Sequence, residues 1–201
     1  ILFKCANVPG LVIGGEICED VWVMNPPSIS HAMAGATVIV NCSASDETTG
    51  KHLYRNSLIS GQSARLVCGY IYANAGEGES TQDLVFGGHN IIAENGTILA
   101  NSKRFQNGVI YADLDLERIR SERRRMTTFQ MTADMEDYDF VEFEIDEEEL
   151  DLDRFIDPAP FVPSDAATRD ERCEEILTIQ AMGLKKRLAH TGCKNAVIGI
   201  S

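Results

Sequence analysis

Short apolar runs alternate with polar, glycine-punctuated stretches through the first 125 residues. Leu11 to Ile17 is an apolar run broken by Gly14 and Gly15, short enough for a buried strand, and it ends in Cys18-Glu19-Asp20, a polar turn before Trp22. Pro26-Pro27-Ser28 predicts the start of a short helix through about Ala34; Gly35 ends it before the β-branched run Thr37-Val38-Ile39-Val40, a strand. Asn41 to Gly50 reads as a loop. Leu53, Leu58, Ile59 and Ala64 then recur at helical spacing up to Cys68-Gly69, and Tyr70 to Ala73 is strand-like. Gly76-Glu77-Gly78-Glu79-Ser80 is a loop. Leu84 to Ala93 and Thr97 to Ala100 flank Asn95-Gly96, which predicts a β-hairpin because both turn residues accept positive φ. Val109 to Ala112 predicts one more strand, and Leu116 to Met126 a basic, exposed helix. Strand–helix units followed by antiparallel strands indicate a layered α/β fold.

From Thr132 to Asp153 the chain is acidic, with no Lys or Arg, and predicts a solvated linker that Pro158, Pro160 and Pro163 extend. Ser164 or Asp165 is placed to cap a long helix through Ile176, Ile179, Met182 and Leu188 to Gly192, and Asn195 to Ile200 predicts the first strand of a new domain. The expected division is 1–126, a linker over 127–163, and 164–201. The chain has no initiator Met, starts abruptly at Ile1 and stops at the expected end of a strand, so it is expected to be a piece of something longer. There are no internal repeats.

Composition narrows the function classes. At 201 residues, 44% hydrophobic and 24% charged, the chain can bury a substantial core. A net charge of -13 disfavours nucleic acid and anionic membranes, which need basic residues opposite phosphate. No apolar run reaches the roughly 20 residues of a membrane span, and no secretory leader opens the chain, so a cytoplasmic protein is expected. The six cysteines are widely spaced, without a CxxC pair or zinc-site spacing, and read as free thiols with no metal site. His31, His52, His89 and His190 are scattered and receive no catalytic role. Arg120, Arg123, Arg124 and Arg125 read as a solvated helix face rather than an interface.

One position carries candidate chemistry. A cysteine at a strand end, on a sharp turn, is exposed above a sheet edge in the manner of a nucleophile elbow; Cys18 stands there. Glu19 and Asp20 alone would raise its pKa, so a cationic or basic neighbour must come from elsewhere. On these residues alone, buried packing competes with catalysis.

The string GGEICEDVW resembles the nucleophile motif of the nitrilase superfamily, whose members work on C–N bonds with a Glu-Lys-Cys triad. GATVIVNCSAS, GQSARLVCGYIYANAGEGESTQDLVFGGHNIIAENG and NSKRFQNGVIYADLDLERIRSERRR resemble the glutaminase domain of glutamine-dependent NAD synthetases, from about Leu11 to Arg125. The closing NAVIGIS is similar to the strand that leads, in that family, into the SGGxDS loop of the ATP-dependent synthetase domain.

The resemblance implies a nitrilase-like four-layer α-β-β-α sandwich, in part, then a linker and the start of a Rossmann-like α/β domain. It implies a carbon–nitrogen ligase with glutamine as amido donor, in which Cys18 attacks the glutamine amide and forms a thioester. The backbone N–H of Glu19 would help bind the oxyanion. The Glu19 side chain, Ser45 and Lys51 would hold the amino-acid end of glutamine, Glu77 and Glu79 would line the site, and Ser201 would begin the ATP loop. The glutaminase half needs no cofactor. ATP, Mg2+ and deamido-NAD belong to the synthetase half, and the assembly is a homo-oligomer.

The chain departs from this pattern at both ends. The triad glutamate and lysine lie far upstream of the cysteine in the family, and Lys4 and Glu16 fit neither place. The ATP loop stops at its first serine. This stretch alone is therefore expected to be catalytically silent. The competing expectations are a stand-alone nitrilase-type amidase and a non-catalytic scaffold.

Overall fold

The computed structural model describes residues 1–79, 83–129, 138–146, 151, 153–160, 162 and 165–199. The chain divides into two compact units, Ile1–Arg154 and Phe155–Ser201. Elements of the first follow the apolar rhythm of the sequence: β1 (Leu2–Cys5), β2 (Val12–Ile17), a 3-10 turn (Cys18–Trp22), α1 (Pro27–Met33), β3 (Val38–Ser43), α2 (Lys51–Leu66), β4 (Gly69–Asn74), β5 (Ile91–Glu94), β6 (Thr97–Asn101), α3 (Leu116–Arg125) and β7 (Phe140–Phe143).

These strands form one seven-stranded sheet, ordered β6-β5-β4-β3-β2-β1-β7, among the described residues. β2, β3 and β4 are parallel, joined through α1 and α2, while β1 runs antiparallel to β2 and the β5–β6 hairpin is antiparallel to β4. Period-two alternation then sorts side chains by face. Gly14, Glu16, Ile39, Asn41, Tyr70 and Tyr72 are buried, with α1 and α2 packed over the sheet. Gly15, Ile17, Cys42 and Ala73 point the other way and are exposed, so one face is open.

The core gathers Leu2, Val21, Ala32, Ile39, Ile59, Leu66, Tyr70, Tyr72 and Ile91. Gly14 serves this packing directly: a Cβ there would lie 2.9 Å from the His31 Cβ on α1.

Several segments differ from the sequence expectation. β7 lies inside the acidic stretch expected to be a solvated linker and pairs in parallel with β1, which the sequence did not announce either. Ladder bonds use the backbone, so Phe140-Val141-Glu142-Phe143 can extend an edge whatever the charge around it. Val109 to Ala112 joins no strand; Val109 and Tyr111 are exposed. In Leu84 to Ala93 only the last three residues enter a strand.

α3 is not simply solvated. Ile119 is buried, and the buried Arg123 donates from Nε to the Val67 carbonyl (2.9 Å) and from Nη2 to that of Leu66 (3.0 Å), satisfying the C-terminal end of α2, and also from Nη2 to the Ala36 carbonyl before β3 (2.7 Å). Burial holds its guanidinium below the usual range.

The second unit is described by α4 (Arg169–Thr191), closed by Gly192 at φ 67. It starts later than the caps at Ser164 or Asp165 predict. Residues 195–199 form no strand.

Candidate active site

β2 delivers Cys18 to the surface in a conformation that a non-glycine residue adopts only under constraint. Its φ is +47°, in the left-handed region. Two contacts brace the turn. The Asp20 carboxylate accepts the Ile17 N–H at 2.7 Å, and the Asn41 amide, on β3, donates to the Cys18 carbonyl at 3.4 Å. Cys18 itself is half-buried.

Glu16, two residues earlier, is buried and occupied. One oxygen accepts the Ser28 N–H at 2.9 Å and the other accepts the Tyr70 hydroxyl. Burial, then the neighbouring Glu16 charge, pushes the Tyr70 phenol far above its ordinary value, so it remains a donor. Both Glu16 oxygens are thus tied to α1 and β4, on the helix-covered side of the sheet.

Loop 44–50 and the start of α2 carry the other sequence-predicted residues. Lys51 pairs with Asp46 at 2.7 Å, and its ammonium lies 5.6 Å from the ring centroid of Trp22, the last residue of the Cys18 turn. That hydrogen bond, more than the Coulomb attraction of Lys51, holds the Asp46 carboxyl below the usual range. Ser45 is buried. Its N–H donates to Asn74 Oδ1 (2.9 Å), its carbonyl accepts from Asn74 Nδ2 (3.1 Å), and its hydroxyl accepts from Arg55 (3.4 Å).

Cys18 and Glu19 therefore share one turn, Lys51 reaches the end of that turn, and Ser45 is tied into the loop beneath Lys51 through its neighbour Asp46. Glu19, Glu77 and Glu79 are exposed. Ser201 lies outside the described residues.

Under loop 44–50 sits a charged network the sequence reading missed. Glu47, its side chain nearly inaccessible, lies between Arg55 (3.0 Å) and Arg104 (3.5 Å). The fully buried Arg55 donates to His89 Nδ1 at 3.0 Å, and His89 Nε2 donates to Asn101 Oδ1 at 2.5 Å. Burial lowers the His89 pKa below 6.5, in keeping with a neutral ring that accepts on one side and donates on the other. A signal existed. Arg55, Ile59, Gln62 and Leu66 share one helical stripe, and an arginine on a buried stripe demands partners.

Among the described residues no group of three or more His, Cys, Asp and Glu side chains gathers to hold a metal ion, and no helix is long and apolar enough to cross a membrane.

A mixed sheet with a parallel centre under a helical layer, with a half-buried cysteine on a strained turn at a strand end, is the arrangement of a C–N hydrolase half-sandwich. The carbon-nitrogen hydrolase family model matches residues 2–124, and the chain belongs to that family. Over its full length it is 42% identical to the glutamine-dependent NAD(+) synthetase of Mycobacterium tuberculosis, and it spans 31% of that relative. The fold is similar to the carbon-nitrogen hydrolase from Helicobacter pylori (TM-score 0.50, 20% identity, 63% of this chain and 47% of that one). It is likewise similar to a Saccharomyces cerevisiae member of branch 10 of the nitrilase superfamily (TM-score 0.50, 24% identity, 59% of this chain and 43% of that one). The chain thus holds a part of the nitrilase-like sandwich: one sheet and the helices on one of its faces.

Proposed function

We propose that this chain carries the nucleophile of the glutaminase domain in a glutamine-dependent NAD synthetase. The observation that carries the reading is Cys18 at φ +47° on a braced turn. It stands in a chain 42% identical throughout to a synthetase of that name.

The Cys18 sulfur attacks the side-chain amide carbon of glutamine. An S–C bond forms, the C–N bond breaks, and ammonia leaves with the proton; water then cleaves the thioester to release glutamate and restore the thiol. The Glu19 N–H faces the developing oxyanion. The Glu19 carboxylate takes the amino group of glutamine, while Lys51, close to the Cys18 turn, takes its carboxylate by exchanging it for Asp46. Ser45 shapes the loop on which Asp46 stands.

The remaining assignments extend this reading. Ammonia serves the ATP-dependent amidation of deamido-NAD in a synthetase domain that starts within 164–201, after a connecting stretch over 127–163 that contributes β7 to the sheet. The enzyme is a cytoplasmic homo-oligomer. In this reading Ser201 is the first residue of the ATP loop.

The test is glutamate release from glutamine by the natural protein that carries this sequence. Cys18→Ala is expected to lower it by at least about 10⁴-fold. Undiminished release by the variant contradicts the reading. Hydrolysis of short aliphatic amides in place of glutamine would make the protein a stand-alone amidase, and no amide hydrolysis at all would make it a scaffold.

A further inference from the structure

Asn41 is 1% exposed, on the helix-covered face of β3, directly beside Glu16 in the β2–β3 register. Its Nδ2 reaches the Cys18 carbonyl at 3.4 Å, and its amide is also a hydrogen-bonding neighbour of the Tyr70 hydroxyl. Its Oδ1 is buried without a hydrogen-bond partner among the described residues. A buried amide that leaves one atom unpaired costs stability, and Val or Leu would fill this strand position without that cost. The amide is kept for what its donor does.

The Cys18 carbonyl and the Glu19 N–H belong to one trans peptide, so they point in opposite directions. A donor that fixes the carbonyl fixes the N–H as well. Cys18, at positive φ, sits in a shallow conformational well, and its carbonyl, an acceptor within the 3-10 turn, gains from Asn41 a second donor that comes from the neighbouring strand. Asp20 restrains the Glu16–Ile17 peptide, through the Ile17 N–H.

We infer that Asn41 is a positioning residue for the oxyanion-binding peptide: by holding the Cys18 carbonyl on the helical side of the sheet it aims the Glu19 N–H at the opposite side, where the tetrahedral oxyanion forms. The inference rests on Cys18 as the nucleophile. It assigns to the strand beside the nucleophile a part of the oxyanion site, and it explains the tie from Glu16 through Tyr70 to Asn41. That tie is a buried polar frame for one peptide rather than a proton path.

Asn41→Leu keeps the branched shape and removes the donor. In the natural protein, kcat for glutamate release is expected to fall about 10- to 100-fold, somewhat less than loss of an oxyanion donor itself. KM for glutamine is expected to hold, because the ground-state amide is bound elsewhere. Alkylation of Cys18 by iodoacetamide displaces iodide from a saturated carbon and forms no oxyanion, so its rate is expected to stay unchanged. An unchanged kcat overturns the inference. So does a parallel fall of kcat and alkylation, which would make Asn41 a support of the turn as a whole. Should Asn41→Leu not fold, Asn41→Ala carries the same expectations. Cys18→Ala run alongside separates the two levels: if it keeps its activity, the nucleophile assignment fails with everything built on it, whereas loss of activity there with no effect at Asn41 removes this inference alone.

Discussion

A histidine wedged between an arginine and an asparagine can serve only one protonation state. His89 accepts from Arg55 on Nδ1, so a second proton would set two cationic groups face to face in a buried place. Its pKa in the folded chain is therefore below the ordinary 6.5, through burial first. The unfolded chain takes up the proton near its ordinary value while the folded one resists it. The contribution of neutral His89 is thus full above about pH 6.5 and is lost as pH falls through the lower folded value. The urea midpoint followed from about pH 7.5 to 5.5 should fall more steeply for the natural chain than for His89→Gln. Equal slopes would show that the ring is not held neutral. Arg123 makes the same point about burial: composition placed it with its solvated neighbours, yet two carbonyls at the end of α2 and that of Ala36, just before β3, claim its donors.

Among the elements, the β5–β6 hairpin was the most legible. Asn95 and Gly96 turn at φ +43° and +88°, as an Asn-Gly pair between apolar runs requires, and a Cβ on Gly96 would stand 3.1 Å from the Ala64 Cβ on α2. Gly96→Ala is expected to cost roughly 1–2 kcal/mol in a denaturant titration. An unchanged midpoint would mean the turn tolerates other geometry. Strand β2, its turn, α1, β3, α2 and β4 were equally readable, since apolar runs, caps and glycines agree on each. β1 and β7 were not, because an edge pairing depends on a distant partner that no local pattern announces. At the candidate site the cysteine on its turn was legible. Its braces were not: Asn41 reads as the end of a strand and Asp20 as a turn residue until the fold brings them to the Cys18 peptide.

On the scale of the molecule, the first unit is closed by an ion pair at its last residue. Arg154 meets both oxygens of the buried Glu94, at 2.6 and 2.9 Å, and also donates to the Asp113 carbonyl at 3.0 Å. Arg154→Ala would leave Glu94 charged and buried with one remaining donor, the Asp115 N–H. A loss of about 3 kcal/mol in unfolding free energy is expected, and a loss below about 1 kcal/mol would show that the pair is not maintained. The sheet is apolar on both faces but covered by helices on one, as half of a four-layer sandwich would be. Parallel strands are ordinarily covered on both faces. Exposed Ile17, which precedes the proposed nucleophile, therefore places Cys18 at the margin of the open face. The most direct measurement is acid quenching of the natural protein during turnover of glutamine, followed by mass analysis of the peptide that contains Cys18. A glutamyl thioester on Cys18, absent without glutamine and absent in Cys18→Ala, is the predicted result. Glutamate release with no acyl adduct on Cys18 and undiminished in Cys18→Ala would contradict the account.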